Sequence, residues 1–411
     1  MDGRAASLTI TDRIPYLLSH GLRLVALSCL IGKADKKFPH YRTLSPFPSG
    51  LRFEMRHLIG KGSIFRKLLL AVISVLLLPF LFLEKVFIQL DSQWSWVFSA
   101  TPVALFIAWK HKPDVIYSSA GPPSSHVTAL ILSRLTGIPW VCELHDPLLI
   151  PRKTWQNKKF HEWLEGAIMK YSVENIWFTE KARDSIAARF PLEKAGIVIR
   201  PGANPPEVLL TYQKSSCFNI SHFGSLADDR NLTTIINVLS KIILDEPHLQ
   251  KSIRLNIYGC KPDIQTKSAI DQNPDLKDVI ICHGRLEKDP ITGKDGRQRV
   301  AEAMHLTDLL LIVQGTQPIF YEYIPSKMYD YFYASRPILG LGLHDSEFQQ
   351  VLTEHGHIAV DEQNITQVKN TLVQQIHLWE SSAYTFSNSN KALSVENATV
   401  KLISILITNS K

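Results

Sequence analysis

The chain has 411 residues, is 45% apolar and 20% charged, and carries a formal charge of +7. That length and composition exclude a disordered or low-complexity protein and leave room for two cores, since single domains typically run to about 100–200 residues. The modest positive charge suits an anionic partner such as a nucleotide or a membrane surface, and no nucleic-acid partner is expected.

The first residues, MDGRAASLTI, lead directly into a helical pattern over residues 9–19 and a strand, LRLVALSC, over 22–29. No basic-then-apolar leader is visible there, so secretion is not expected. The next distinctive segment is KLLLAVISVLLLPFLFLEKVFIQL from Lys67. Its unbroken apolar part, residues 68–83, reaches about 24 Å as a helix, short of the ~30 Å hydrocarbon core of a bilayer. Pro79 interrupts it, Glu84 closes it, and Arg52, Arg56, Lys61, Arg66 and Lys67 precede it. An apolar helix with a basic flank is expected to lie in or near a membrane interface, giving peripheral contact through residues 61–90. A buried core helix and a true span are the alternatives.

Beyond residue 110, short apolar runs alternate with longer helical patterns. The strands read VIYS (115–118), WVCEL (140–144), IWFT (176–179) and IVIR (197–200). After a polar, proline-bearing stretch at 201–213 come FNISHFG (218–224), IRLNIYG (253–259), VIICHG (279–284), DLLLIV (308–313) and PILGL (337–341). Helical patterns at 126–137, 231–244 and 298–306 lie between them. This alternation predicts an α/β fold of two doubly wound, parallel-sheet domains facing each other across a cleft. The boundaries read 1–205 and 214–380, with a terminal helix in 381–411 placed against the N-terminal domain. The five cysteines (Cys29, Cys142, Cys217, Cys260, Cys282) include no CxxC pair. Four lie in or beside strands, which predicts buried free thiols in a reducing compartment and no zinc site.

Ligands of doubly wound sheets bind at the carboxyl ends of strands, often on the following helix. In the second half, Gly224 closes one strand with Ser225 and Arg230 at its mouth. Gly259 closes a second, and His283, Gly284 and Arg285 close a third. Each glycine alone is explained as well by a tight strand-end turn. Together with the stretch YEYIPSKMYDYFYASRPILGLGL (321–343) they read as one cleft. Within that stretch Ser326 reads as the N-cap of a helix whose free amides favour an anion. Asp330, four residues on, shares its face and suits ribose hydroxyls, while Glu322 sits in the loop before it. A dipole-complementing acid and a solvated loop charge fit the same spacing equally well.

These stretches resemble the retaining family-4 glycosyltransferases of the GT-B fold. The signature of that family is two acids separated by seven residues, then a small residue and a proline leading into a strand. EYIPSKMYD is similar to it, with Asp330 in place of the usual Glu, and ASRPILGL continues the pattern. HFGSLADDRN resembles the family's glycine loop, in which a basic pair grips the donor diphosphate. Arg230 stands at the second basic position and Ser225 where Arg is usual, so either the grip is weaker or Arg285 or Lys327 supplies the missing charge. SSAGPPSSHVTALILSRLTGIPWVCELHD resembles the subgroup's Pro-Pro loop, helix and strand, which puts His145 close to the donor sugar. The resemblance is strong over 115–343 and poor over 34–99. One departure is that the family's opening strand, expected mid-sheet, is missing from the pattern, and a truncated start is the favoured explanation.

The resemblance implies a hexosyl-type glycosyltransferase that moves a sugar from a nucleotide-diphosphate donor to a lipid-linked or polysaccharide acceptor. His145, Arg230 and Glu322 would be catalytic. Gly224, Ser225, Arg230, Gly259, Arg285, Ser326, Lys327 and Asp330 would hold the nucleotide sugar. No Asp-x-Asp occurs, so no metal and no other cofactor is expected. The resemblance and the apolar segment together suggest surface polysaccharide or glycolipid assembly, in the cytoplasm and peripheral on the inner face of the plasma membrane. Two other classes stay open: a non-catalytic GT-B scaffold or partner subunit, favoured by Ser225 and the missing strand, and a nucleotide-sugar epimerase, disfavoured by the apolar segment.

Overall fold

The computed structural model describes residues 5–31, 34–58, 64–149, 157–190, 196–207, 212–227, 229–259, 261–381 and 393–410. The first four residues, Lys61, Cys260 and part of the expected linker lie outside the described residues. The chain divides into two compact units, Met1–Pro201 with Val395–Lys411, and Gly202–Ser394. These boundaries differ from those read off the sequence. The division falls at Pro201, and the second unit runs on to Ser394. A local pairing explains this: Ala203 N donates to Leu393 O at 2.9 Å, and Ala203 forms a parallel bridge with Ser394. The outgoing and returning segments are thus tied together within the second unit.

In the first unit, β1 (Ala26–Cys29) and β2 (His40–Thr43) form a parallel pair. A separate parallel sheet runs β3 (Ile116–Ala120), β4 (Trp140–Leu144), β5 (Glu174–Trp177) and β6 (Ile197–Val198) in that order. Among the described residues the first element is the helix Ala5–Ser19. Strand β4 is buried on both faces. Trp140, Cys142 and Leu144 pack on Leu164 and Ile168 of the helix Lys158–Tyr171. Val141 faces the other way, with Ile176, onto Ala398, Leu402 and Leu406 of the final helix Val395–Thr408.

The second unit carries β7 (Phe218–Gly224), β8 (Ile253–Gly259), β9 (Ile280–Gly284), β10 (Leu309–Val313), β11 (Ile338–Gly342) and β12 (Ile358–Asp361). They form one parallel sheet in the order β12-β11-β10-β7-β8-β9. Leu309, Leu311 and Val313 enter one core while Leu310 and Ile312 enter the other, the two-residue alternation of a strand covered on both faces. The chain lays down β7, β8 and β9 outward in one direction, then returns to place β10 on the other side of β7. Strand order reverses between β7 and β10, and at such a point a parallel sheet opens a ligand crevice beyond its carboxyl ends.

Two expectations need correction. Of the described cysteines, all free, only Cys142 is buried, and Cys282 is exposed because β9 is an edge strand. The second is the length of the apolar segment, whose exposure also removes the alternative of a buried core helix. The helix Ile64–Leu83 continues through the turn Glu84–Ile88, and the apolar stretch Arg66–Ile88 has none of its most apolar window buried. At 1.5 Å per residue its 23 residues extend about 34 Å, so the shorter reach of 68–83 does not limit it. Glu84 is drawn back to the protein, accepting from Ser49 N at 2.9 Å.

Candidate functional site

The residues singled out from the sequence fall in both units, His145 in the first and the others in the second. In the second unit Gly224, Ser225, Arg230 and Lys327 lie beyond β7, at the reversal of strand order, while Gly259 ends β8 and Arg285 lies beyond β9. Gly224 ends β7 with φ +112°, and the Nζ of Lys327 lies 3.1 Å from where a Cβ on residue 224 would sit. A Cβ on its neighbour Gly259 would lie 2.4 Å from Gly224 O. The two strand ends therefore approach as closely as they do because residue 259 is glycine, and glycine at 224 leaves room for Lys327.

His222, one turn of the pleat before Gly224, is a residue the sequence reading passed over. It is 1% exposed. Its Nδ1 lies 3.2 Å from Leu311 O on β10, and Lys327 Nζ lies 3.2 Å from its Nε2. A carbonyl can only accept and an ammonium can only donate, so Nδ1 carries the proton and Nε2 accepts from Lys327. Burial pushes this imidazole well below its usual pKa, and the cations Lys327 and Arg230 push the same way. A neutral histidine thus aims Lys327 at the glycine turn. Tyr331 braces the same corner: its hydroxyl accepts from Phe223 N at 3.0 Å and donates to Leu311 O at 3.4 Å.

Arg230 follows in a tight turn, with Ala227 N donating to Arg230 O at 3.0 Å and Arg230 N to Ala227 O at 2.8 Å. Its Nε is buried with no hydrogen-bond partner, and its guanidinium has no ion pair among the described residues. Buried polar groups in folded proteins are nearly always bonded, and an exception is met by a water, an ion, a ligand or local strain. Gly315, just past β10, closes the corner from the other side, since a Cβ there would lie 2.3 Å from Asp229 O.

The stretch carrying Glu322 and Asp330 is built differently from the expectation. Ser326 is at the N-cap position, but its side chain makes no cap hydrogen bond, because its backbone is already helical at φ −57°, ψ −29°. A capping serine needs extended backbone to fold its hydroxyl over the first amides. Those amides are also partly used. Met328 N donates to Pro325 O at 2.9 Å and Tyr329 N to Ser326 O at 3.2 Å, so the seven-residue helix Lys327–Tyr333 begins with a tight turn and offers fewer free donors than expected. Asp330 is exposed on this helix. Glu322 ends the short turn Pro318–Glu322, which the buried Gln314 holds by donating to Phe320 O and Tyr323 O, both at 2.6 Å. Ser225 is exposed beside Gly224. Arg285 is exposed beyond β9, two strands from β7.

In the first unit His145 follows β4 with its side chain 5% exposed, stacked on Phe178 with ring centroids 4.8 Å apart. Its Nε2 lies 2.8 Å from Ser119 Oγ. That hydroxyl gives its proton to Glu143, so it accepts from His145, and the imidazole carries its proton on Nε2. His145 Nδ1 is then a buried lone pair with no partner. Behind it, Arg13 Nη1 meets Glu143 Oε1 at 2.6 Å and Tyr117 OH donates to Glu143 Oε2 at 2.6 Å. Burial alone would raise the Glu143 carboxyl. The Arg13 guanidinium, helped by His145 and Ser119, outweighs that and holds it well below the usual carboxylate range. The sequence reading named none of Arg13, Tyr117, Ser119 or Glu143. Their only local signal was a Glu two residues before His145 on a strand expected to be buried.

A comparison with known protein families finds no match, and no curated protein matches in sequence. Solved structures do match. Anabaena HepE in complex with UDP is 14% identical, with a TM-score of 0.54, over 75% of this chain and 82% of that one. S. aureus TarM is 12% identical with a TM-score of 0.53, over 75% of this chain and 58% of its own. The α,α-trehalose 6-phosphate synthase of Burkholderia multivorans is 12% identical with a TM-score of 0.52, over 76% of each chain. The fold is GT-B. Identity this low shows the fold alone. Within a GT-B chain, the parallel-sheet units and the reversal at β7 and β10 are the framework on which Arg230, Lys327 and His222 are mounted.

Proposed function

We propose that this chain is a retaining glycosyltransferase that moves a sugar from a nucleotide-diphosphate donor to a membrane-linked or saccharide acceptor without a metal ion. The observation that carries the reading is Arg230, with its buried, unbonded Nε at the β7–β10 corner beside a lysine aimed by a neutral histidine. An anion completes that corner. In this reading Arg230 and Lys327 stabilise the charge that builds on the departing diphosphate, the electrostatic effect that usually dominates such chemistry. Asp330 accepts from ribose hydroxyls, Glu322 takes hydroxyls at the sugar end, and the buried lone pair on His145 Nδ1 accepts from the donor sugar. Ser225, Gly259, Ser326 and Arg285 line the nucleotide more loosely.

Two similar folds have been solved with UDP-glucose (HepE) and with UDP and alpha-GlcNAc-glycerol (TarM), which makes UDP the first donor nucleotide to test. Metal independence rests on the absence of Asp-x-Asp and on two cations at the corner. The exposed apolar helix Arg66–Ile88 and its basic flank support membrane association, and we place the protein on the cytoplasmic face of the plasma membrane. A non-catalytic role is favoured by one observation, the exposed serine at position 225 in place of a cation.

Thermal unfolding with UDP, GDP, ADP or buffer, on the parent and on Asp330→Ala, tests the reading. A nucleotide at 100 times its Kd adds about 2.7 kcal/mol, several degrees for a unit of this size. Stabilisation by one nucleotide, lost in the variant, supports the transferase. No shift with any nucleotide leaves the scaffold reading.

A further inference from the structure

We infer that the first unit holds a seat for the apolar chain of a membrane lipid, which makes the acceptor of the proposed reaction lipid-linked; this rests on the transferase and membrane readings above. A cavity of about 160 Å³ follows the exposed apolar helix, walled by Leu90, Trp94, Val97, Phe98, Val127 and Phe160, with Asp91, Pro123 and Ser124 completing it. An apolar cavity of about 150 Å³ stays dry and accepts a benzene-sized guest. An isoprene unit or a short stretch of acyl chain is of that size.

Several observations lead from a bilayer to this cavity. Exposed side chains from Leu68 to Phe87 spread over more than half of the helix circumference at 100° per residue. Such an arc suits hydrocarbon that wraps the helix better than a single flat partner surface. Arg66 and Lys67 are exposed at the start of this helix, where anionic headgroups would sit. At the other end Asn157 N donates to Gln89 O at 2.9 Å and Asn157 Nδ2 to Ile88 O at 3.3 Å. This ties the end of the apolar stretch to the helix Lys158–Tyr171, whose Phe160 forms a cavity wall. Phe47, Trp94 and Phe98 cluster at the rim with ring centroids 5.0–5.8 Å apart.

The far side of the cavity leads to the candidate site. Pro123 and Ser124 open the helix after β3, and Ser119 on β3 bonds His145. Four residues of chain span at most about 14 Å, so a chain seated in the cavity carries its head group from the membrane to the neighbourhood of His145.

The test uses the full chain on phosphatidylcholine–phosphatidylglycerol vesicles containing either farnesyl phosphate or palmitate bearing a diazirine. After irradiation, labelled residues are mapped by mass spectrometry. The inference expects label in the Leu90–Phe98 and Ser124–Leu130 segments. Val127→Trp, and independently Val97→Trp on the neighbouring helix, should each cut that label at least tenfold while vesicle flotation and labelling along 66–88 persist. The probe that labels more strongly reports the chain type. Label confined to 66–88, or cavity label indifferent to both tryptophans, overturns the inference. Cavity label without any nucleotide-induced thermal shift would leave the lipid seat standing and remove the transferase reading instead.

Discussion

Arg13 is buried and Arg230 half-buried, and their surroundings differ. Arg13 is 1% exposed and meets a carboxylate at 2.6 Å, with Tyr117 and Ser119 filling the remaining acceptor positions of Glu143. Arg230 has a buried, unbonded Nε and no ion pair among the described residues, and its near neighbour is a histidine held neutral. Taking an ion from water costs several kcal/mol, and only close pairing with well-placed hydrogen bonds recovers it. The first cation is paired through Nη1 with an acid that also fixes His145 through Ser119, although its own Nε and Nη2 are buried without a hydrogen-bond partner. The second has no acid paired with it among the described residues, as the proposed anion site requires. A cation paired with a buried acid positions its neighbours, and one with no acid beside it keeps its charge available to a ligand.

The sharpest way to break that contrast is to remove the acid from the first network. Glu143→Ala leaves Arg13 buried and uncompensated, and should cost the first unit about 3–5 kcal/mol in denaturant unfolding. A loss under about 1 kcal/mol would mean that the pair is solvated. Arg230→Ala should do the reverse. Its melting temperature should stay near the parent's, because no bond is lost. Turnover should fall about 100- to 1,000-fold, the 2.7–4 kcal/mol typical of one transition-state donor.

Acid should separate the units next. Histidines lowered by burial (His222, His283, His305 and His357, the last to about 4) lie in the second unit, against His40 in the first. A lowered histidine stays neutral when folded and takes up a proton when unfolded, so stability falls as pH drops from about 6.5 towards the lowered value, most for the buried His222, His305 and His357. Glu362, raised by burial to about 7, works the opposite way between about 7 and 4.5 and offsets one of them. Chemical denaturation at pH 7 and pH 5 should show the second unit losing more, and His357→Gln should reduce the difference. The smallest expected effect is Ser326→Ala. Because Ser326 caps nothing, the change should stay within about 0.5 kcal/mol, where loss of a true cap would cost about 1 kcal/mol.

What could be read from the sequence follows from how local each signal is. Strands β3 to β11 were visible because each is an apolar run bounded by turn residues. β2, HYRT, has no apolar alternation, and β12, IAVD, is short and ends on a charge, so neither was legible. Gly224, Arg230 and Lys327 were found through their stretches. His222 was not, although it stands in one of them, because its role depends on Lys327, 105 residues later. Arg13 and Glu143 are 130 residues apart, and no spacing rule joins them. Ser326 failed as a cap for a torsional reason that residue type alone does not reveal.

The final helix has a consequence for the order in which the protein is made. Ala398, Leu402, Ile405 and Leu406 finish the core beneath Val141 and Ile176, yet they leave the ribosome after the whole of Gly202–Ser394. At ~5–20 residues per second that interval lasts roughly 10–40 s. The unit begun first is completed last, and for that time one face of its sheet waits uncovered. A chain interrupted before Val395 would carry a finished second unit joined to a first one that cannot close.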